Sequence, residues 1–318
     1  MPEERPKSLR EVFSRLNQKL EQAKPGSVAE ALNRATERLS CADVDAPRLS
    51  AELLACKAFG LSRLGLIVRK KDEVSLEQQA ALEALVERRA KGEPAAYLLG
   101  EKEFFGLAFR VTPDVLIPRP ETEGIIEEAQ RLFPADAALR FADFGTGSGA
   151  LAVSLAYVFP QSRGLAVDLC GQALEVARAN AREHGVAGRL EFLCADFTGL
   201  GHSSGLAPAS LDLIVANPPY VTEAEYAGLS IEVRGFEPRA ALVSADQGLA
   251  HIRGLAPTAL RALRPGGVLL CEIGSTQGRA VLELFSDPSQ GFAEAAILHD
   301  YAGLDRVLRA KLPGRPAA

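Results

Sequence analysis

Phe141-Ala-Asp143-Phe-Gly145-Thr-Gly147-Ser-Gly149-Ala150 is the stretch on which the fold turns. An apolar strand leads into glycines at 145, 147 and 149, and a helical apolar run follows. Glycines in such a turn let backbone amides come close to a ligand with no Cβ in the way, at the positive end of a helix. Read as G-x-G-x-x-A, the same residues also form a dinucleotide fingerprint, so the loop alone leaves a nicotinamide cofactor and S-adenosylmethionine both open.

Downstream of the loop the text alternates. The pattern predicts a strand over Leu139 to Asp143, a helix from Gly149 to about Phe159, a strand over Gly164 to Asp168 and a helix from Gln172 to about His184. Strands over 190–194 and 211–216, a helix over 250–263 and a strand over 267–273 continue it. Such alternation argues for a parallel, Rossmann-like doubly wound α/β sheet. Asp168 ends the second strand, where a carboxylate can accept both hydroxyls of a ribose or simply cap the next helix. Asp196 and Phe197 end the third, where acid and ring can bracket an adenine.

The chemistry is written in Leu211-Asp-Leu-Ile-Val-Ala-Asn217-Pro218-Pro219-Tyr220. A buried strand stops at two prolines, at the sheet end where open α/β folds bind ligands. Neither proline carries an N–H, so this backbone is rich in carbonyl acceptors, and the Asn217 side-chain oxygen adds one more. Two acceptors can hold the two hydrogens of a planar NH2 group, with Tyr220 over its flat face. A plain strand-ending turn is the alternative reading of the same tetrapeptide.

Upstream, the first ninety residues read as short capped helices. Ser27-x-x-Glu30 and Ser75-x-x-Gln78 are capping boxes, and Pro47 opens a helix expected to place Leu49, Leu53, Leu54 and Ala58 on one face. Arg69-Lys70-Lys71 reads as a solvated helix end that could also dock an acidic partner. Between Ala95 and Ile125 the text turns aromatic and proline-rich, with prolines at 113, 118 and 120, and predicts a β-hairpin and an ordered connector. The expected organisation is a helical domain over 1–95, hairpin and connector over 96–125, and a catalytic domain over 126–318.

With 47% hydrophobic and 24% charged residues the chain is an ordinary globular one, and its 318 residues suggest two domains. No stretch reaches the ~18 apolar residues of a membrane helix and the first residues lack a signal core, so a cytoplasmic protein is expected. Cys41, Cys56, Cys170, Cys194 and Cys271 form no C-x-x-C pair and are expected to be buried and reduced, and no metal site is expected. Residues 1–95 hold 17 basic against 15 acidic side chains, and the remainder 19 against 26. That acidic half disfavours a large nucleic-acid footprint.

With these residues in view, the chain resembles the HemK/PrmC family of protein-glutamine methyltransferases from about Pro25 to Arg309. The shared Asn217-Pro-Pro-Tyr220 also occurs in adenine-amino methyltransferases. More discriminating are Pro94-Ala-Ala-Tyr97-Leu-Leu-Gly100 with Phe104-Phe-Gly106, Leu116-Ile-Pro-Arg119-Pro-Glu-Thr-Glu123, and Phe236-Glu237-Pro-Arg239-Ala-Ala-Leu242. The resemblance implies a class I S-adenosylmethionine-dependent methyltransferase fold with a helical N-terminal domain joined by the hairpin. Its implied acceptor is the glutamine of the Gly-Gly-Gln motif in class I peptide-chain release factors, with translation termination as the process modulated. It implies that Gly145, Thr146, Gly147, Ser148, Gly149, Asp168 and Phe197 contact the cofactor, with Asp196 and Asn217 beside them. Asn217, Pro218, Pro219 and Tyr220 are implied to hold the glutamine and form the catalytic set, and the N-terminal helices to grip the release factor. Phe197 departs from the tryptophan of several members. Arg119 and Glu123 read either as an ion pair pinning the connector or as ligand-facing groups, and Glu237 either as a group that orients a loop near the site or, the preferred reading, as a cap for local amides. Asp300 to Leu308 matches the family's closing strand.

A methyltransferase for adenine amino groups of DNA or RNA needs the same acceptors, but the acidic half and the nearly neutral helices disfavour it. A nicotinamide dehydrogenase rests on the loop alone, and a non-catalytic adaptor is at odds with an intact loop and an intact Asn217–Tyr220 segment. No nucleic-acid or membrane partner is expected.

Overall fold

The structure is a computed structural model that describes residues 26–200 and 206–314. Contacts divide the chain into two compact units, Met1–Leu99 and Gly100–Ala318. The division falls after a fifth short helix, α5 (Ala95–Leu99), so the hairpin and the connector both lie in the second unit.

In the first unit α1 (Val28–Ser40), α2 (Pro47–Phe59), α3 (Arg63–Val68) and α4 (Leu76–Ala90) surround their own apolar core. Both capping boxes are made: Ser27 and Glu30 exchange hydrogen bonds at the start of α1, and Ser75 and Gln78 do so at the start of α4. In α2 the buried face differs from the expected one. Ser50, Ala51, Leu54, Ala55 and Phe59 point inward, and Leu49 is exposed. Pro47 does take the first helical position, but the helix enters from Ala46 at a φ of 46°, which rotates the face.

In the second unit β1 (Glu101–Phe104) and β2 (Leu107–Arg110) form the expected hairpin. Then come α6 (Glu123–Leu132), β3 (Arg140–Phe144), α7 (Ala150–Val158), β4 (Arg163–Asp168), α8 (Gly171–Glu183) and β5 (Leu190–Cys194). They are followed by β6 (Leu211–Ala216), α9 (Glu223–Gly228), α10 (Ile231–Phe236), α11 (Ala250–Ala262), β7 (Leu263–Glu272), α12 (Gly278–Ser286), β8 (Glu294–His299) and β9 (Asp305–Lys311). The sheet order is β5-β4-β3-β6-β7-β9-β8. Strands β3 to β7 are parallel, as the alternation predicts, but β9 runs antiparallel between β7 and β8, so the sheet is mixed. A tight turn after β8 sends the chain straight back along it, and that short return forces the antiparallel direction. Apolar clusters cover both faces of the sheet, the requirement of a doubly wound fold.

The cysteine expectation is corrected. All five are free thiols, but only Cys271 is buried, while Cys41 and Cys194 are exposed. Neighbouring apolar letters do not bury a residue that ends a helix or a strand.

Candidate active site

Strands β3 and β6 are neighbours in parallel register, with Phe144 opposite Ala216. Their exits, the glycine loop and the Asn217–Tyr220 segment, therefore open side by side where the strand order reverses, the switch point at which such sheets bind ligands. β4 and β5 bring Asp168 and Asp196 to the same end on one side, and β7 brings Glu272 there on the other.

A cavity of about 350 Å³ lies across these ends. Of the expected residues Gly145, Thr146, Gly147, Ser148, Asp168, Asp196, Phe197, Asn217 and Pro219 line it. Gly149, Pro218 and Tyr220 are absent from its wall. Gly149 enters α7 with a φ of 82°, and a Cβ there would stand 3.0 Å from that of Ala177, so its glycine serves helix packing. Tyr220 turns inward, its hydroxyl donating to Glu272 Oε1 at 3.0 Å, and burial pushes its ionisation well above the usual phenol range. Its backbone carbonyl accepts from Gln277 Nε2 at 3.1 Å. Gly248 makes room for that carbonyl, because a Cβ there would lie 2.1 Å from it.

Asp168 holds the loop as well as facing the cavity. Its Oδ2 accepts from the Gly147 amide at 2.8 Å and its Oδ1 from the Cys170 amide at 2.9 Å, so it both caps and faces inward. Burial raises its pKa, and the amides that donate to it pull the other way. Asp196 caps a single 3-10 turn through Thr198 and still reaches the cavity wall. The Phe197 ring stacks on Phe144, with centroids 5.9 Å apart and planes 4° from parallel. These groups fit S-adenosylmethionine: a half-buried carboxylate for hydroxyls, an aromatic wall for an adenine, and a glycine loop with Gly145 and Gly147 at positive φ.

Several participants escaped the sequence reading. Asn217 Nδ2 donates to Thr122 Oγ1 at 3.0 Å, and Thr122 donates to Glu272 Oε2 at 2.5 Å. Glu272 is fully buried, which raises its pKa against the two hydroxyls that donate to it. A carboxylate closing the apolar run Val-Leu-Leu-Cys-Glu272 was the visible signal. Beneath the loop Asp143 is also fully buried. It accepts from Thr146 Oγ1 and the Ala152 amide through Oδ2, while Oδ1 has no partner among the described residues and burial pushes its pKa up to about 7. His251 lines the cavity, tilted against Phe197, with Nδ1 2.8 Å from Ser244 Oγ. Desolvation lowers its pKa.

Arg119 lines the cavity, as the ligand-facing reading has it, and the ion pair that pins the connector is made with Glu237 and not with Glu123. Arg119 pairs with Glu237 at 2.5 Å, and Glu237 also accepts the Ile117 amide at 3.0 Å. Glu237 is therefore a clamp on the connector beside the cavity, closer to the loop-orienting reading than to the preferred one of a cap for local amides. Glu123 instead accepts the amide of Phe105 at 2.9 Å, at the hairpin turn.

Comparison with known proteins adds an independent line. Residues 30–100 match the model of the PrmC N-terminal domain, and residues 129–232 that of the methyltransferase small domain. Release factor glutamine methyltransferase of Nitratidesulfovibrio vulgaris is 48% identical over 280 residues, covering 88% of this chain and 93% of that protein. The Moorella thermoacetica protein of the same name is 43% identical over 281 residues, covering 88% and 96%. Among solved structures, the catalytic domain of hMettl16 in complex with the MAT2A 3'UTR hairpin 6 aligns with a TM-score of 0.52 at 16% identity, over 72% of this chain and 85% of that one. At that identity the likeness concerns the fold alone.

Proposed function

The chain belongs to the family of release factor glutamine methyltransferases, and from that premise we propose that Asn217 and its neighbouring carbonyls hold the glutamine amide of a Gly-Gly-Gln loop for methylation by S-adenosylmethionine. The reaction modulates translation termination through the release factor. One observation carries the assignment of residues. Asn217 lines the same cavity as the glycine loop and Asp168, and its backbone oxygen lies 3.8 Å from where a Cβ on Gly145 would stand.

When bound, S-adenosylmethionine supplies an electrophilic methyl group that already carries its leaving group. What this chain adds is position. The glycine loop, Asp168 and Phe197 would hold the cofactor at the strand ends, and Asn217 Oδ1 with the backbone carbonyls of Asn217 and Pro219 would accept the N–H groups of the acceptor. An amide nitrogen is a weak nucleophile because its lone pair is shared with its carbonyl. Gripping its hydrogens would turn that nitrogen towards the methyl group that the cofactor supplies and would polarise its N–H bonds. Orientation of this kind is a large part of what a site can contribute to an in-line transfer.

Incubation with labelled S-adenosylmethionine and separate release-factor, DNA and tRNA acceptors tests the substrate. Label is expected on the Gly-Gly-Gln glutamine, and label on nucleic acid alone would overturn the reading. Asn217→Ala should slow single-turnover transfer by about 100-fold or more while cofactor affinity holds. Transfer at the wild-type rate would take Asn217 out of the mechanism.

A further inference from the structure

A primary amide has two ends of similar shape and opposite chemistry. If Asn217 grips an acceptor N–H, its oxygen must face the acceptor, since its NH2 turned forward would oppose the N–H of the incoming group. We propose that Glu272, acting through the Thr122 hydroxyl, is a positioning residue that holds the Asn217 side chain oxygen-forward. This rests on the assignment of Asn217 above.

The direction of each bond follows from counting donors. The hydroxyls of Thr122 at 2.5 Å and Tyr220 at 3.0 Å both reach the oxygens of Glu272 and favour its ionised form against the effect of its burial, and in that form it can only accept. A hydroxyl has one proton to give. With that proton committed to Glu272, Thr122 Oγ1 is left as an acceptor, and the group within reach at 3.0 Å is Asn217 Nδ2. The reverse orientation would set Asn217 Oδ1 against an oxygen with nothing to donate. The carboxylate thus decides the amide orientation by chemistry.

The three residues come from separate parts of the chain: the connector, the exit of β6 and the end of β7. Glu272 and Thr122 are both buried, so water does not compete for their bonds. Ala216 lies opposite Cys271 in the β6–β7 pair, which sets Asn217 and Glu272 at neighbouring strand ends. An ionisable group with no exposure is costly to keep, and a polar device that imposes one orientation is a physical reason for it to be there.

Thr122→Val, Thr122→Ser and Glu272→Gln separate this role from simple packing. Thr122→Val keeps the shape and removes the hydroxyl, and Thr122→Ser restores it. Glu272→Gln keeps the shape but introduces a group that can donate or accept, so the bond directions are no longer imposed. Single-turnover transfer to a full-length release factor at saturating S-adenosylmethionine is compared with cofactor affinity from calorimetry. Thr122→Val and Glu272→Gln are expected to slow transfer by about tenfold or more with cofactor affinity within about twofold. Thr122→Ser should rescue most of that loss, and Thr122→Val should have little further effect in an Asn217→Ala background, where the oriented group is gone. Wild-type transfer by Thr122→Val, a serine variant as slow as the valine one, or the same fractional loss with and without Asn217 would each overturn the proposal. Should Glu272→Gln fail to fold, the valine and serine pair still decides. A wild-type protein that leaves release factor unmethylated, or an Asn217→Ala variant as fast as wild type, overturns the functional reading itself and the relay with it.

Discussion

Among the described residues the helical unit buries one charged side chain, Arg89, whereas the catalytic unit buries five carboxylates. Ser50 is the other buried polar residue of the first unit, and its ion pairs lie at the surface, Arg38–Glu87 between exposed partners and Arg63–Glu52 between an exposed and a half-buried one. Its caps act within three residues of themselves. The second unit buries Glu128, Asp143, Asp212, Glu237 and Glu272. Most of these acids tie remote segments: Asp212 accepts from the Arg140 amide, Glu237 from Ile117, Glu272 from Thr122 and Glu128 from Arg309. Burying a carboxylate costs desolvation that only specific partners offset, so such groups persist where a geometry must be held. A helical unit tolerant of charge substitutions and a second unit intolerant of them are the expected consequence.

Removing residues 1–99 is the bluntest way to break that contrast. Each unit has its own core, so residues 100–318 should fold and bind S-adenosylmethionine with nearly full affinity, while transfer to intact release factor falls by about 100-fold or more because remote binding energy is lost. Equal transfer by the fragment would deny the helices a docking role. Next in size, Asp168→Ala should weaken S-adenosylmethionine binding by about tenfold to a hundredfold, the worth of charge-assisted bonds to hydroxyls. Calorimetry showing an unchanged dissociation constant would remove Asp168 from the cofactor site.

Asp143 sharpens the comparison through pH. Burial lifts its carboxyl from 3.8 to about 7, so between those values the folded protein holds a proton that the unfolded chain has released. Its effect on stability is most favourable below about pH 4 and is lost as pH rises towards 7. Between pH 5.5 and 8 the wild type should therefore lose about 1–2 kcal/mol relative to Asp143→Asn, read from urea unfolding at both pH values. Parallel pH profiles for the two proteins would contradict it. The smallest effects belong to the helical unit. Ser75→Ala should cost at most about 1 kcal/mol through its lost cap, and exposed Glu87→Ala should leave the urea midpoint unchanged. A Glu87 effect larger than that of Ser75 would show that the helical unit relies on its charges after all.

What could be read from the text is what neighbouring residues decide among themselves. Ser27 with Glu30 and Ser75 with Gln78 announce helix starts because cap and partner are three residues apart. The run Leu211–Ala216 announces a buried parallel strand because every residue in it is apolar but Asp212, and the glycines before α7 announce a ligand turn through backbone freedom. The side chains of the candidate cofactor site, Asp168 and Phe197, were likewise visible at strand ends. By contrast Leu49 and Leu53 were placed on the wrong face of α2, because the entry angle set at Ala46 depends on how the helix packs.

The sequence by itself determined the alternation of β3 to β7 with α7, α8 and α11, the glycine loop, the acceptor-rich Asn217–Tyr220 segment and the family motifs, since each is a property of a few adjacent residues. Only the tertiary structure decided that β9 returns antiparallel, that Arg119 answers to Glu237, that Tyr220 turns away from the cavity, and that Thr122 and Glu272 stand behind Asn217. The physical reason is range. Local steric and capping preferences act over three or four residues, whereas a buried carboxylate takes whatever donor the fold brings within 3 Å, and for Glu272 that donor lies 150 residues away along the chain.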